Sequence, residues 1–325
     1  MKREQSRSEL EAHAKQYERR NMCLIASDRP EGKRYARAVA AGRLLQPVPR
    51  LFVRSEYWDI LDEPDRVMHC MRSLQVLHPN WVFVGSSAAL IHGLQIPLTK
   101  EYLWPIRIAA RWGSRGRSTP AVMRQVVEDD ENSVIDHLRV TSLERTAFDC
   151  MREMSFADGL AVADSVLAIS GKTREQMINR MNEFRRTSRG GRHAMEAASY
   201  ADGRASDRDE SRVRAVIIEN GFEVPTPNPE ELVVDGKQVP CAMGWHFDDG
   251  VWLALQLSGK RFKDALPIDI PGVRQLTLPC GISDDPEILV KRLIASGVPR
   301  ASEPPAIGKA KAFKPVRQEL GANDE

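Results

Sequence analysis

Four acidic side chains in the C-terminal half of the chain, Glu210, Glu231, Asp248 and Asp249, would matter most for chemistry if a fold gathered them. Two or more carboxylate oxygens on one divalent cation polarise a bound water and make it a nucleophile. Asp248 and Asp249 precede Gly250, where acidic residues more often serve a turn than a metal. His92 invites an acid–base role, but a lone histidine before Gly93 on a mostly apolar helix is more often structural. Gly85-Ser86-Ser87 has the small residues of a nucleotidyltransferase opening, yet no Asp-x-Asp pair follows closely to hold a metal. Its glycines are also too few for a phosphate-cradling loop. The five cysteines, Cys23, Cys70, Cys150, Cys241 and Cys280, are odd in number and without a Cys-x-x-Cys pair, which predicts reduced thiols in a cytoplasm and no structural zinc.

Between Asp209 and Lys260 the pattern predicts helix, strand, turn, strand, turn, strand. Ser206 and Asp209 have capping-box spacing, Val213, Val216 and Ile217 repeat at helical spacing, and Gly221 can end the helix. Asp235-Gly236 and Asp249-Gly250 are hairpin signals between apolar runs. A further strand is predicted at Val273–Leu278, only about ten residues past Lys260, and a closing helix over Asp285–Ser296.

That order resembles the restriction-endonuclease-like fold, in particular domains of the very-short-patch-repair type. The resemblance implies a helix acid, an acid ending the middle strand and acids on the last strand converging on a metal. Here Glu210 matches the helix acid, and Trp245 and Gly259 match flanking positions. Cys241 stands at the metal-binding aspartate, Gln256 at the strand glutamate and Ser258 two residues on. A thiol and an amide do not supply the anionic oxygens that a hard cation needs, so the resemblance implies a retained fold with no catalysis, no metal and no cofactor. An active nuclease that recruits Glu210 with Asp248, Asp249 or Glu231 is the rival expectation.

The 325 residues are enough for two or three domains. The net charge of +2 places any basic surface locally, and no apolar run reaches a membrane span. Residues 1–20 read as an exposed basic helix, an arm. Lys33–Ala41 is predicted as a helix carrying Lys33, Arg34 and Arg37; Gly42 stops it, and two short strands follow around Pro47 and Pro49. Basic helix, glycine and β-ribbon are the layout of a winged helix-turn-helix, with Arg43, Arg50 and Arg54 on or beside the wing. The pattern alone fits a small surface αββ unit equally well.

The Arg-x-x-x-Ala-x-x-x-Gly-Arg-Leu run leading to Phe52-Val53 resembles AbiEi-type antitoxins, regulators of type IV toxin–antitoxin systems. Trp81–Pro97, with Ala-Ala-x-x-His-Gly-Leu, and Arg139–Leu167, with Val-Thr-Ser-x-x-Arg-Thr-Ala-x-Asp, resemble the same family. Capping signals are predicted at Thr141/Glu144 and Ser155/Asp158, and a helix over Thr173–Phe184. Arg145 and Asp149 lie one turn apart and are expected to form a structural pair that Asp164 joins. Arg185, Arg186, Arg189 and Arg192 are equally consistent with a solvated linker and a nucleic-acid contact.

The expected fold class is α/β (α+β). It comprises a winged-helix DNA-binding domain at 1–60, a mainly helical AbiEi-like domain at 61–198 and a degenerate endonuclease-like domain with a small mixed sheet at 199–298. A disordered tail is expected at 299–325. The resemblance implies a cytoplasmic, autorepressing regulator whose partners are double-stranded operator DNA and a cognate nucleotidyltransferase-like toxin, with no membrane. A scaffold that binds only protein is the third expectation.

Overall fold

The computed structural model describes residues 2–110, 117–127, 131–186, 190–234, 236–259 and 270–303. It is mixed α/β, with several small sheets. The chain divides into two compact units, Met1–Thr146 and Ala147–Glu325, a division that falls inside the expected middle domain.

The first unit opens with α1 (Lys2–Glu18), β1 (Leu24–Ile25), α2 (Arg29–Ala40), β2 (Leu44–Val48) and β3 (Leu51–Arg54). The strands form an antiparallel sheet in the order β1-β3-β2. The first helix is not an arm: Leu10 and Ala14 are buried in a cluster with Leu24, Tyr35, Ala38, Leu44 and Phe52. Its apolar residues, at i, i+4 and i+7 with Tyr17, are only a thin stripe among charges, which is why the composition suggested solvent on every side. Four residues before the expected start, α2 begins under the side chain of Asp28, which accepts from the Glu31 N–H, with Pro30 in the first turn. Gly42 follows with φ 68°, and Arg50 turns the β2–β3 hairpin with φ 69°.

Next come α3 (Ser55–Ile60), α4 (Glu63–Leu77), α5 (Gly85–His92), α6 (Lys100–Leu103), β4 (Ile106–Ala110), β5 (Val122–Val126), β6 (Asn132–Ile135) and β7 (Leu138–Thr141). This half of the expected middle domain adds four short strands to its helices. β4 pairs parallel with β5, β6 pairs antiparallel with β7, and Phe83 bridges to Ile108 and Val140. The β6–β7 turn is Asp136-His137, both at positive φ, a hairpin without the glycine that would announce it. The N-terminal segment is sewn to α4 by the Cys23 N–H, which donates to Ser73 Oγ at 2.8 Å, and by Tyr57 and His69, joined at 3.0 Å.

Helix α7 (Leu143–Met151) carries the chain from one unit to the other, followed by α8 (Phe156–Ser170), α9 (Arg174–Arg185), α10 (Gly191–Ser199) and α11 (Arg208–Glu219). Ser155 caps α8, and Thr173 caps α9 in a full capping box with Gln176. The other two expected caps are shifted by one residue. Ser142, not Thr141, accepts from the Arg145 N–H, and Asp207, not Ser206, accepts from the Glu210 N–H. Every residue of α8 from Gly159 to Leu167 is buried.

The chain continues through β8 (Thr226–Pro227), β9 (Val233–Val234), β10 (Lys237–Gln238), β11 (Met243–His246), β12 (Trp252–Ser258), β13 (Val273–Pro279) and α12 (Pro286–Ala295). The main sheet has the order β13-β12-β11-β8, with β12 parallel to β13 and the other pairs antiparallel. Val213, Val216 and Ile217 of α11 and Leu289 and Leu293 of α12 form one core with Met243, Trp245, Leu253, Leu255 and Leu257. The alternate residue Ala254 packs instead with Leu232, Val239 and Cys241. β9 and β10 pair antiparallel on either side of the expected turn, of which Asp235 lies outside the described residues, and the Asp249-Gly250 hairpin joins β11 to β12 as expected. Residues 260–269 of the β12–β13 crossover lie outside the described residues, as do 304–325 of the expected tail. Residues 299–301 do not trail free. The Glu223 N–H donates to Pro299 O, the Ala301 N–H to Gly221 O, and the Arg300 guanidinium lies 3.9 Å from the Phe222 ring centroid.

Candidate nucleic-acid interface

The exposed face of α2 follows from the face it buries. Tyr35 and Ala38 point into the core at i, i+3 spacing, so Arg29, Lys33, Ala36 and Arg37 line the opposite side. Tyr35 anchors the helix: it is 1% exposed, edge-on to Phe52, and burial pushes its phenol up to about 12. Arg29, Gly32, Lys33 and Ala36 line an open groove of about 580 Å³ with Gln46, Arg50 and Phe52 of the hairpin. Gly32 and Ala36, one turn apart, leave space beside the cations for another backbone to approach. A basic stripe on a helix with a β-ribbon beside it can follow a phosphate backbone while the helix addresses a groove.

The six residues expected to meet DNA do not all share this surface. Lys33 and Arg50 face the groove, and Arg37 extends the stripe by one turn. The Arg50 guanidinium is held in place, donating from Nε and Nη2 to Ala26 O at 3.2 and 3.1 Å. Arg34 turns towards α1, 3.9 Å from Glu9. Arg54 is a structural residue: its Nε and Nη2 form a fork onto both oxygens of the buried Glu18, at 2.8 and 2.7 Å. Glu18 also holds the Arg54 guanidinium above its ordinary pKa, in the manner of a committed ion pair. Arg43 lies near Arg54 at the hairpin base, in a cleft shared with Glu11 and Glu56. Arg29 was missed because the helix start was placed too late; Asp28 before Arg29-Pro30 is the capping signal that marks it.

In the second unit, Glu210 is 3% exposed and its Oε2 accepts from the Ser206 N–H at 2.7 Å. It closes the start of α11 with the Asp207 cap. Cys241 is buried among Leu232, Val239 and Ala254. Gln256, 1% exposed, donates from Nε2 to Pro240 O at 2.9 Å and accepts from Gln275 Nε2 at 2.7 Å. Ser258 Oγ lies 3.4 Å from Leu278 O. Asp249 Oδ1 accepts from the Val251 N–H, a turn role. Among the described residues, no group of three or more His, Cys, Asp or Glu side chains is placed to hold a metal ion.

Asp164 does not join Arg145 and Asp149 as expected. Arg145 is buried at the start of α7, and Asp149 accepts from Arg152 Nε at 3.0 Å. Asp164 belongs to a different centre. Arg214 Nη2 meets its two oxygens at 2.5 and 2.7 Å, Ser211 Oγ donates to Oδ2 and the Asp202 N–H to Oδ1. Arg214 is the residue sequence reasoning missed. Its position on α11, among Val213, Ala215 and Val216 with both neighbours buried, was the available signal. His92 is structural, its Nε2 2.8 Å from Thr141 O and its imidazole held below the ordinary value by burial. Of the arginine run, Arg192 lies 3.5 Å from Glu196, Arg185 packs under Gly191 and Arg189 lies outside the described residues.

No family model matches the chain, and neither curated proteins nor solved structures provide a match.

Proposed function

We propose that this protein is a non-catalytic regulator that binds duplex DNA, of the AbiEi antitoxin type, and represses its own promoter in the cytoplasm. The α2 stripe carries the reading: Arg29, Lys33 and Arg37 are exposed, and none is paired with a carboxylate among the described residues. Unneutralised cations beside a ribbon suit a polyanion better than a solvated surface, where lysines and arginines commonly meet nearby acids. The β2–β3 hairpin serves as the wing. A single helix lies between β1 and β2, so α1 and α2, separated by β1, take the place of the usual helix pair.

The second unit is read as an endonuclease-like domain kept for binding or assembly with a toxin-type partner. Its support is a mixed sheet whose parallel β12–β13 pair needs a crossover, packed on α11. Support for the absence of cleavage comes from Glu210, whose carboxylate is committed to the Ser206 N–H, and from Gln256, committed to Pro240 and Gln275. A salt titration of binding to the protein's upstream duplex tests the proposal. Four phosphate contacts, from Arg29, Lys33, Arg37 and Arg50, require a slope of log Kobs on log[salt] of about −3.6 or steeper. Each alanine substitution among the four should flatten it by about 0.9. A slope near zero, or one indifferent to these substitutions, refutes the proposal.

A further inference from the structure

Helix α4 presents charges of opposite sign at the two ends of its outward face. Its inner face buries Val67, Cys70, Met71 and Leu74. The other side bears Asp65, Met68, Arg72 and Val76, spaced three and four residues apart along one stripe. Asp65 and Val76 are exposed, Met68 and Arg72 half-buried. At 1.5 Å per residue, Asp65 and Arg72 stand about 10 Å apart along the helix, too far to pair within one chain. Neither has an oppositely charged partner among the described residues.

Each end also carries exposed apolar surface. At the first end, Ile60 closes α3 just before the Asp62 side chain caps α4, with Asp59 beside it. At the far end, Val76 and Val134 line an open groove of about 820 Å³ with Arg20, Arg72 and Arg139. Val134 and Arg139 lie opposite each other in the β6–β7 hairpin, and the Arg139 N–H donates to Gln75 Oε1 at 2.8 Å, which fixes the hairpin on α4. Ile60, Val134 and Val76 are the most exposed large apolar side chains among the described residues, at 77%, 63% and 61%. Arg20 and Arg139 have no carboxylate partner and Asp59 no cationic one among those residues. Asp136, in the hairpin turn, is the one acid among the groove's described lining residues.

An acidic end with an exposed isoleucine and an arginine end with exposed valines complement each other, and α4 holds them apart. They can meet only in a second molecule. Laying one α4 antiparallel to another about a two-fold axis sets Asp65 against the partner's Arg72. The same register puts the Ile60-Leu61 link over the partner's Val76 and Met68 beside the axis, and the symmetry makes every contact twice. Opposed helix dipoles add to the match. We infer that this face is a dimerisation surface for a second copy of this chain, in which the acidic end of each α4 enters the arginine groove of the other. Arginine among apolar side chains is the composition of a protein interface, whereas exposed valines offer nothing to a phosphate. A dimer would present two α2 stripes, as two-fold readers of duplex DNA do. The inference stands without that reading, because the dimer is measured with no DNA present.

The test is sedimentation equilibrium of the full chain. Wild type should form a reversible dimer at micromolar concentration. Arg72→Glu sets acid against acid and Asp65→Arg sets cation against cation, twice in each dimer, so each variant's dissociation constant should rise about a hundredfold or more. Val76→Glu, at an exposed position that the monomer's core does not use, should weaken the dimer as well. All three variants are first shown to unfold at the wild-type urea midpoint. An equimolar mixture of Arg72→Glu and Asp65→Arg should recover the dimer, because the introduced glutamate of one meets the introduced arginine of the other and a native pair remains at the second contact. A monomeric wild type at the highest soluble concentration, or a dimer that none of the variants weakens, overturns the proposal. Weakened variants whose mixture stays monomeric overturn the antiparallel pairing and leave the groove to an acidic partner of another kind.

Discussion

Replacing Arg214 with methionine should unfold the second unit more readily than any surface change. Asp164 is 0% exposed and Arg214 2%, and two short hydrogen bonds join them. Without the guanidinium, Asp164 keeps only the Ser211 hydroxyl and the Asp202 N–H, while Tyr200 O loses the donor it has at 2.8 Å. Removing one member of a buried ion pair costs about 3–5 kcal/mol, because the other charge stays desolvated. With a urea m-value of about 2 kcal/mol per molar, that is a fall of roughly 2 M in the transition midpoint. Asp164→Leu should cost a similar amount. The double variant Asp164→Leu with Arg214→Met should lose far less than the sum, since no charge remains buried, although the Ser211 and Asp202 donors go unmet at about 1–3 kcal/mol each. Circular dichroism during urea unfolding of the four proteins closes the cycle. Additive losses, or an unchanged midpoint in Arg214→Met, would show that the pair does not hold α8 to α11.

Arg54→Ala should lower stability by about 2 kcal/mol or more through the stranded Glu18 and leave DNA affinity within a factor of two, checked by unfolding and anisotropy side by side. Glu210→Ala should cost about 1 kcal/mol of stability, as loss of a helix-start hydrogen bond does, and purified wild type should show no magnesium- or manganese-dependent cutting. Cutting that vanishes in Glu210→Ala would restore the nuclease. Gln256→Glu with Cys241→Asp should destabilise rather than rebuild a metal site, because the glutamate can no longer donate to Pro240 O; tight manganese uptake by this variant would contradict that. His69, held below its ordinary value chiefly by burial, protonates less readily in the fold than in the unfolded chain, where a histidine titrates at about 6.5. Its contribution is complete above about pH 6.5 and declines as pH falls towards the folded value, so the first unit's urea midpoint should rise from pH 5 to 7, less so in His69→Gln.

Elements with local signals were legible in the sequence. The caps at Ser155 and Thr173, the glycine hairpins and the apolar repeats of α11 and α12 reappear in the fold because each is decided within a few residues. Long-range pairing was not legible. Arg145 and Asp149 have ideal helical spacing, but Asp164 finds Arg214 fifty residues away because α8 is buried on all sides and α11 is its neighbour. β6 and β7 are short and turn at Asp136-His137 without a glycine, so they were absorbed into a helical expectation. For the candidate interface, residue type located the helix, while burial decided which cations are available: Lys33 and Arg37 remain exposed, and Arg54 is spent on Glu18.

The central claim is that the α2 stripe binds duplex DNA, and gel retardation of the protein's own upstream fragment tests it most directly. Wild type should retard the fragment at moderate salt, and Lys33→Glu with Arg37→Glu, folded to the same urea midpoint, should not at a hundredfold higher concentration. Equal retardation by the two proteins would contradict the account.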